Sequence, residues 1–177
     1  FTALSFLTII PRPFRGEAGA GEIARSLIWF PVVGLVIGLV MAGLNWLLGL
    51  LLPAAVVYGL LLAALVIITG GLHLDGFADT CDGIAGHKTV AERLLIMRDS
   101  RVGAFAVVGV FLLLLIKYVA LASIPGNMVT TSLVLMPVVS RWAVVYAIAA
   151  NPYARPAGLG QAFKQGATGM RFIIATI

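Results

Sequence analysis

The sequence holds one cysteine, two histidines and seven acidic residues in 177 positions. Cys81 alone excludes an internal disulfide and any CxxC metal or redox site, so nothing in the chain points to an oxidising compartment. It reads as a small packing residue. Charged residues make up only 11% of the chain, against about 25% in ordinary soluble domains. That scarcity excludes a normally solvated surface. A cleavable signal peptide is not expected either, because the apolar stretch of the opening "FTALSFLTIIPRPFRG" is short and no charge precedes it. It reads instead as a short helix lying in the membrane interface.

What is present is apolar surface: 61% of residues are hydrophobic and the mean hydropathy is +1.08. The chain reads as an all-α, polytopic integral membrane bundle. A spanning helix needs about 20 mostly apolar residues. The stretches 28–52, 54–72, 102–121 and 129–150 qualify, and the segment from 170 reads as the start of a fifth span. Four to five spans are therefore expected. The chain begins without Met and stops at "MRFIIATI", so further C-terminal helices are expected beyond it. Pro53 predicts a tight hairpin between the first two spans, and Pro125, Gly126 and Asn127 a turn between the third and fourth. Gly34, Gly38 and Gly43 in the first span include the small-xxx-small spacing that lets helices approach closely.

Charge sets the orientation. Arg12, Arg15 and Arg25 precede the first span; Lys88, Arg93, Arg98 and Arg101 lie between the second and third; Arg155, Lys164 and Arg171 follow the fourth. The positive-inside rule places all three groups in the cytoplasm. The expected layout is one transmembrane domain, 1–177, with an interfacial segment 1–27, a cytoplasmic acidic loop 73–101 and a cytoplasmic loop 151–169. The net charge of +5 then reflects membrane orientation, with the lipid bilayer as partner and no nucleic acid. A homo-oligomer is compatible with this composition, which does not set the number of copies.

The acidic residues are localised more sharply. All four aspartates, Asp75, Asp79, Asp82 and Asp99, fall with Glu92 between spans two and three, leaving only Glu17 and Glu22 elsewhere. In "GLHLDGFADTCDG" the first three aspartates are spaced i, i+4, i+7, which on a helix is one stripe about 60° wide. Like charges on one stripe repel, and a bound cation removes the conflict. Oxygen-only donors beside phosphate favour Mg²⁺ or Mn²⁺ over zinc. Asp99, in "MRDSRVG", is the natural fourth carboxylate, and four could hold two metals clamping a diphosphate. His73 and His87 flank the stripe as candidate bases or ligands. The bland alternative is that the aspartates pair with Arg93, Arg98 and Arg101. Arg141, inside span four, is expected to face a carboxylate or an anionic ligand. Lys117 is near the non-cytoplasmic end of its span, where snorkelling accounts for it. The loop "NPYARPAGLGQAFKQG" offers Arg155 and Lys164, as a phosphate loop or a flexible connector.

The stretches "GGLHLDGFADTCDGIAG", "ERLLIMRDSRVGAFA" and "NPYARPAGLG", in this order between these spans, resemble the cobalamin synthase family, the adenosylcobinamide-GDP ribazoletransferases. "ALSFLTIIPRPF" and "WFPVVGLVIG" are similar to that family too, so the resemblance covers essentially the whole chain. It implies a multi-pass enzyme of the bacterial inner membrane with its site facing the cytoplasm. The implied reaction joins adenosylcobinamide-GDP to α-ribazole, or its 5′-phosphate, to give adenosylcobalamin, or its phosphate, with release of GMP and a requirement for Mg²⁺. Asp75, Asp79, Asp82 and Asp99 would hold metal. Asp79 or His73 would take the hydroxyl proton, and Arg101, Arg141 and Arg155 would clamp phosphate.

Two rival readings use the same residues. A CDP-alcohol phosphotransferase of lipid synthesis shares the metal logic, but its DGxxAR signature is here "DGFAD". A cation or proton transporter would use membrane carboxylates as a relay, but would hold them near the midplane.

Overall fold

The computed structural model describes residues 1–13, 19–86, 89–155 and 158–176. Arg15, Glu17, His87 and Lys88, named above, lie outside the described residues. Among those described there are ten α-helices and no strand: α1 Thr2–Leu7, α2 Ala20–Ser26, α3 Phe30–Gly49, α4 Ala54–Ile68, α5 Leu72–Ile84, α6 Val90–Ile96, α7 Ala104–Ala122, α8 Gly126–Ala150, α9 Leu159–Gly166 and α10 Gly169–Thr176.

Local chemistry sets the helix ends. Pro31 stands in the first turn of α3, where its missing N–H costs nothing, and Pro53 immediately precedes α4. Thr89 and Glu92 form a reciprocal capping box at the start of α6. A short 3₁₀ turn, Leu27–Trp29, joins α2 to α3, making one 30-residue apolar stretch, Ala20–Gly49. That stretch, α7 and α8 are each long and apolar enough to cross a membrane. Outward-facing Trp46, Leu51, Phe105 and Phe111 are all well over half exposed, as lipid-facing positions are.

The sequence led us to expect four to five spans, and the described residues give three, or four if α4 and α5 count together. The difference has a local cause. The second span, expected over 54–72, ends at Ile68, and the chain bends by 90° into α5. Gly70 (φ +58°) and Gly71 (φ +67°) are both left-handed. The Gly71 N–H donates to Val66 O and the Gly70 N–H to Ile67 O, each at 3.0 Å, which is the paired closure of a Schellman motif. Leu72 and Leu74 extend the apolar run past the bend, and the hydropathy pattern alone carries no sign of the turn. α10, where the fifth span was expected, has eight described residues, about 12 Å of helix.

The largest packing in the bundle is α3 against α8. A Cβ on Gly34 would lie 2.5 Å from Pro137 O, and one on Gly38 would lie 2.6 Å from Val134 O, so both positions admit only glycine without moving backbone. Gly43 has nothing within 4 Å of such a Cβ and is not part of the contact. Pro137 lacks an N–H, so the Leu133 carbonyl loses its usual i+4 donor, and it lies 3.0 Å from the hypothetical Cβ of Gly38. Leu27, Phe30, Ile37, Met41, Val57, Leu61, Leu133 and Val145 fill the core. Phe6, Phe30 and Phe163, with ring centroids 4.9–6.0 Å apart, pin α1 and α9 to the start of α3.

Candidate functional site

Because α5 turns off the end of α4, its thirteen residues lie across the bundle, packed on α6 and α7. Its helical phase divides its side chains. Asp75, Ala78, Asp79 and Asp82 face a cavity of about 310 Å³ closed by Met97–Val102 and Ala106. His73, Leu74 and Phe77 face a different cavity, of about 230 Å³, with Thr69, Lys117, Ser140 and Arg141.

The first cavity gathers all four aspartates singled out by the sequence, and Arg98 and Arg101 with them. Their environments differ. Asp82 is tied to α7: Oδ2 accepts the Gly103 N–H at 2.7 Å and Oδ1 the Ala106 N–H at 2.9 Å. These are orphan donors of a helix start, and a carboxylate there is favoured by both hydrogen bonding and the helix dipole. Asp99 is held by Arg101, whose Nη2 donates to Oδ2 at 2.6 Å and whose Nε lies 3.0–3.1 Å from both oxygens. Those side-chain hydrogen bonds, and one from the Arg101 backbone, keep the Asp99 carboxyl below the usual carboxylate range. Asp79 goes the other way: partial burial, then the charge of Asp75, raise it, against Arg155, which lowers it, while Asp82 adds to the rise. Arg155 reaches the same region, with Nη2 3.5 Å from Met97 O.

The four carboxylates share a cavity without converging. Among the described residues no three His, Cys, Asp or Glu side chains stand close enough to hold a metal ion together. Cys81 takes the packing role expected of it, lying against α7 where a Cβ on Gly109 would come within 2.5 Å of Sγ.

His73 and Arg141, grouped with the aspartates by the sequence, are placed on the other side of α5. His73 precedes Asp75 by two residues, about 200° around a helix, so the separation follows from phase. Lys117, read from the sequence as a snorkelling residue, faces this second cavity beside Arg141. The available signal was that Lys117 and Arg141 are the two basic residues within the long apolar stretches.

The family model described as cobalamin-5-phosphate synthase matches residues 1–177. Among curated proteins, the chain is 45% identical over 175 residues to an adenosylcobinamide-GDP ribazoletransferase of Geotalea daltonii, covering 99% of this chain and 70% of that protein. It is 40% identical to proteins of the same name from Acetivibrio thermocellus, covering 90% of this chain and 65% of the relative, and from Roseiflexus sp., covering 92% and 60%. The chain thus spans roughly two thirds of the length of the relatives it matches. No solved structure matches it.

Proposed function

The chain belongs to the cobalamin-5-phosphate synthase family, and from that premise we propose that its aspartate cavity transfers a phosphoryl-linked group from adenosylcobinamide-GDP to α-ribazole or its 5′-phosphate. The observation that carries this reading is the meeting of Asp75, Asp79, Asp82 and Asp99 with Arg98 and Arg101 around one cavity.

For GMP to leave, the acceptor hydroxyl oxygen bonds to the phosphorus on the cobinamide side of the diphosphate. The bridging P–O bond breaks and the bridging oxygen departs with GMP. The hydroxyl proton needs an acceptor, and Asp79, which faces this cavity, is better placed for it than His73, which faces the other. Arg101 and Arg155 suit the diphosphate oxygens, with guanidinium forks that match phosphate geometry. Arg101 has to exchange its contact with Asp99 for one with substrate, and the exposure of that pair makes the exchange inexpensive. Arg141, walled off by α5, is not assigned to this step.

The residues fit Mg²⁺. The donors are all oxygen, the like charges of Asp75 and Asp82 act on Asp79 against Arg155, and Mg²⁺ commonly takes one or two carboxylates with waters and substrate phosphates, so three converging side chains are not required. Asp75 and Asp79 would hold it, with Asp99 once released from Arg101. When bound it would neutralise charge on the diphosphate and on departing GMP. Asp82 would serve chiefly to fix α7 against α5.

The cytoplasmic membrane, with this cavity opening to the cytoplasm, is the location that the basic flanks support. The test is GMP release by the purified full-length protein in detergent, given adenosylcobinamide-GDP, α-ribazole and Mg²⁺. Release abolished by EDTA and by Asp79→Asn is the expected result. Folded protein that releases no GMP with either acceptor would overturn the assignment.

A further inference from the structure

The cavity on the opposite face of α5 carries charge that the transfer reading does not use. Arg141 of α8 forms its floor at only 5% exposure, and its Nε has no hydrogen-bond partner. Lys117 of α7 and His73 of α5 stand on the exposed rim of the same cavity, and Ser140 adds a hydroxyl. No Asp or Glu lines it, and neither Arg141, Lys117 nor His73 forms an ion pair among the described residues. A buried guanidinium without a partner is strongly disfavoured in a membrane protein, and such groups pair with an anion or mark a ligand path.

We propose that this cavity is a second, anion-binding site, which takes the phosphate group of a ligand. Donors from three helices approach one space: a planar fork from Arg141, a point charge from Lys117 and a ring N–H from His73. A phosphate, with several acceptor oxygens, satisfies such a set better than a monatomic anion does. An apolar cavity of about 210 Å³ adjoins it, sharing Leu62, Leu65 and Lys117 and running on to Met41 and Ile124. A phosphate carrying an apolar body therefore fits the two cavities together. Two sources have this chemistry, a membrane phospholipid and a soluble phosphate compound.

The site is independent of the transfer reading, so its test involves neither corrinoid nor metal. The full-length protein in dodecyl maltoside with EDTA is titrated separately with inorganic phosphate and with phosphatidylglycerol in mixed micelles, and thermal unfolding is followed. A saturable rise of about 3–5 °C is expected from at least one of them. Phosphatidylglycerol that raises the midpoint and cancels any response to phosphate identifies a lipid source; a response to inorganic phosphate alone identifies a soluble one. Arg141→Gln should abolish the rise and Arg141→Lys retain part of it, while Asp79→Asn, across α5, keeps it whole. If Arg141→Gln does not fold, Lys117→Gln on the rim gives the same reading. No rise with either compound, or a rise that survives Arg141→Gln or Lys117→Gln undiminished, would overturn the proposal and leave Arg141 to a carboxylate partner within the protein.

Discussion

Asp82 and Gly103, twenty-one residues apart, are joined by a 2.7 Å hydrogen bond from the Gly103 N–H to Asp82 Oδ2. With the 2.9 Å bond from the Ala106 N–H, it makes the last aspartate of the acidic stripe the anchor of α7. Asp82→Ala should therefore destabilise the protein by about 1.5–3 kcal/mol, the range for hydrogen bonds to a charged group. Asp82→Asn, which keeps one acceptor, should lose roughly half of that. Thermal unfolding of the two variants in detergent checks the order, and an unchanged midpoint in Asp82→Ala would remove the anchoring role.

The close approach of α3 and α8 gives a paired prediction. Gly38→Val forces side-chain atoms into the Val134 carbonyl, an obstruction of backbone that no rotamer relieves, and should cost about 1–3 kcal/mol. Gly43→Ala meets open space within a helix and should be neutral or stabilising by up to about 1 kcal/mol. Comparable losses in both variants would show that the helices do not cross where described.

How much of this was legible in the sequence depends on the range of the interaction. The membrane class, the three long helices and the aspartate stripe were legible, because hydropathy and 3.6-residue periodicity are local properties. Thr69–Gly71 was not read as a bend, because Leu72 and Leu74 continue the apolar run and hydropathy is blind to a left-handed glycine pair. The anchoring role of Asp82 depends on donors from α7, which no local pattern displays. That Lys117 shares a cavity with Arg141 was not legible either, because the snorkelling argument considers one helix and a bilayer, and Arg141 is on another helix.

Asp79 provides a pH prediction. Its carboxyl is raised, so in the absence of metal its protonated form favours the folded state below the ordinary carboxylate value, and that contribution is lost as pH rises through the raised value. With EDTA present, wild type should therefore lose stability relative to Asp79→Asn as pH rises across that window. Mg²⁺ affinity should follow the opposite course, weakening as pH falls through the same window, because the ligand must be ionised. Calorimetric Mg²⁺ titrations across pH, repeated in Asp75→Asn, check this; removing the Asp75 charge should move the loss of affinity to lower pH.

Arg101 grips Asp99 and is also proposed to hold substrate phosphate, so its removal should separate two readouts. Arg101→Gln is expected to raise KM for the nucleotide substrate at least about tenfold. It should lower the Mg²⁺ concentration needed for half-activity, because Asp99 is released, and should leave the unfolding midpoint unchanged, as for an exposed ion pair. Weaker apparent Mg²⁺ binding in this variant would argue that Asp99 does not reach the metal.

α5 separates its carboxylates from His73 by rotation alone, thirteen residues serving two compartments with no spacer between them. Its function is therefore written in residue count as much as in residue type. One residue inserted at Gly76 would leave His73 and Leu74 where they are and turn Asp79 and Asp82 by about 100°, out of their cavity and off the start of α7. Point changes in this segment can be graded in effect, but a change of length cannot, and a reading-frame-preserving insertion there should be as damaging as deleting the aspartates themselves.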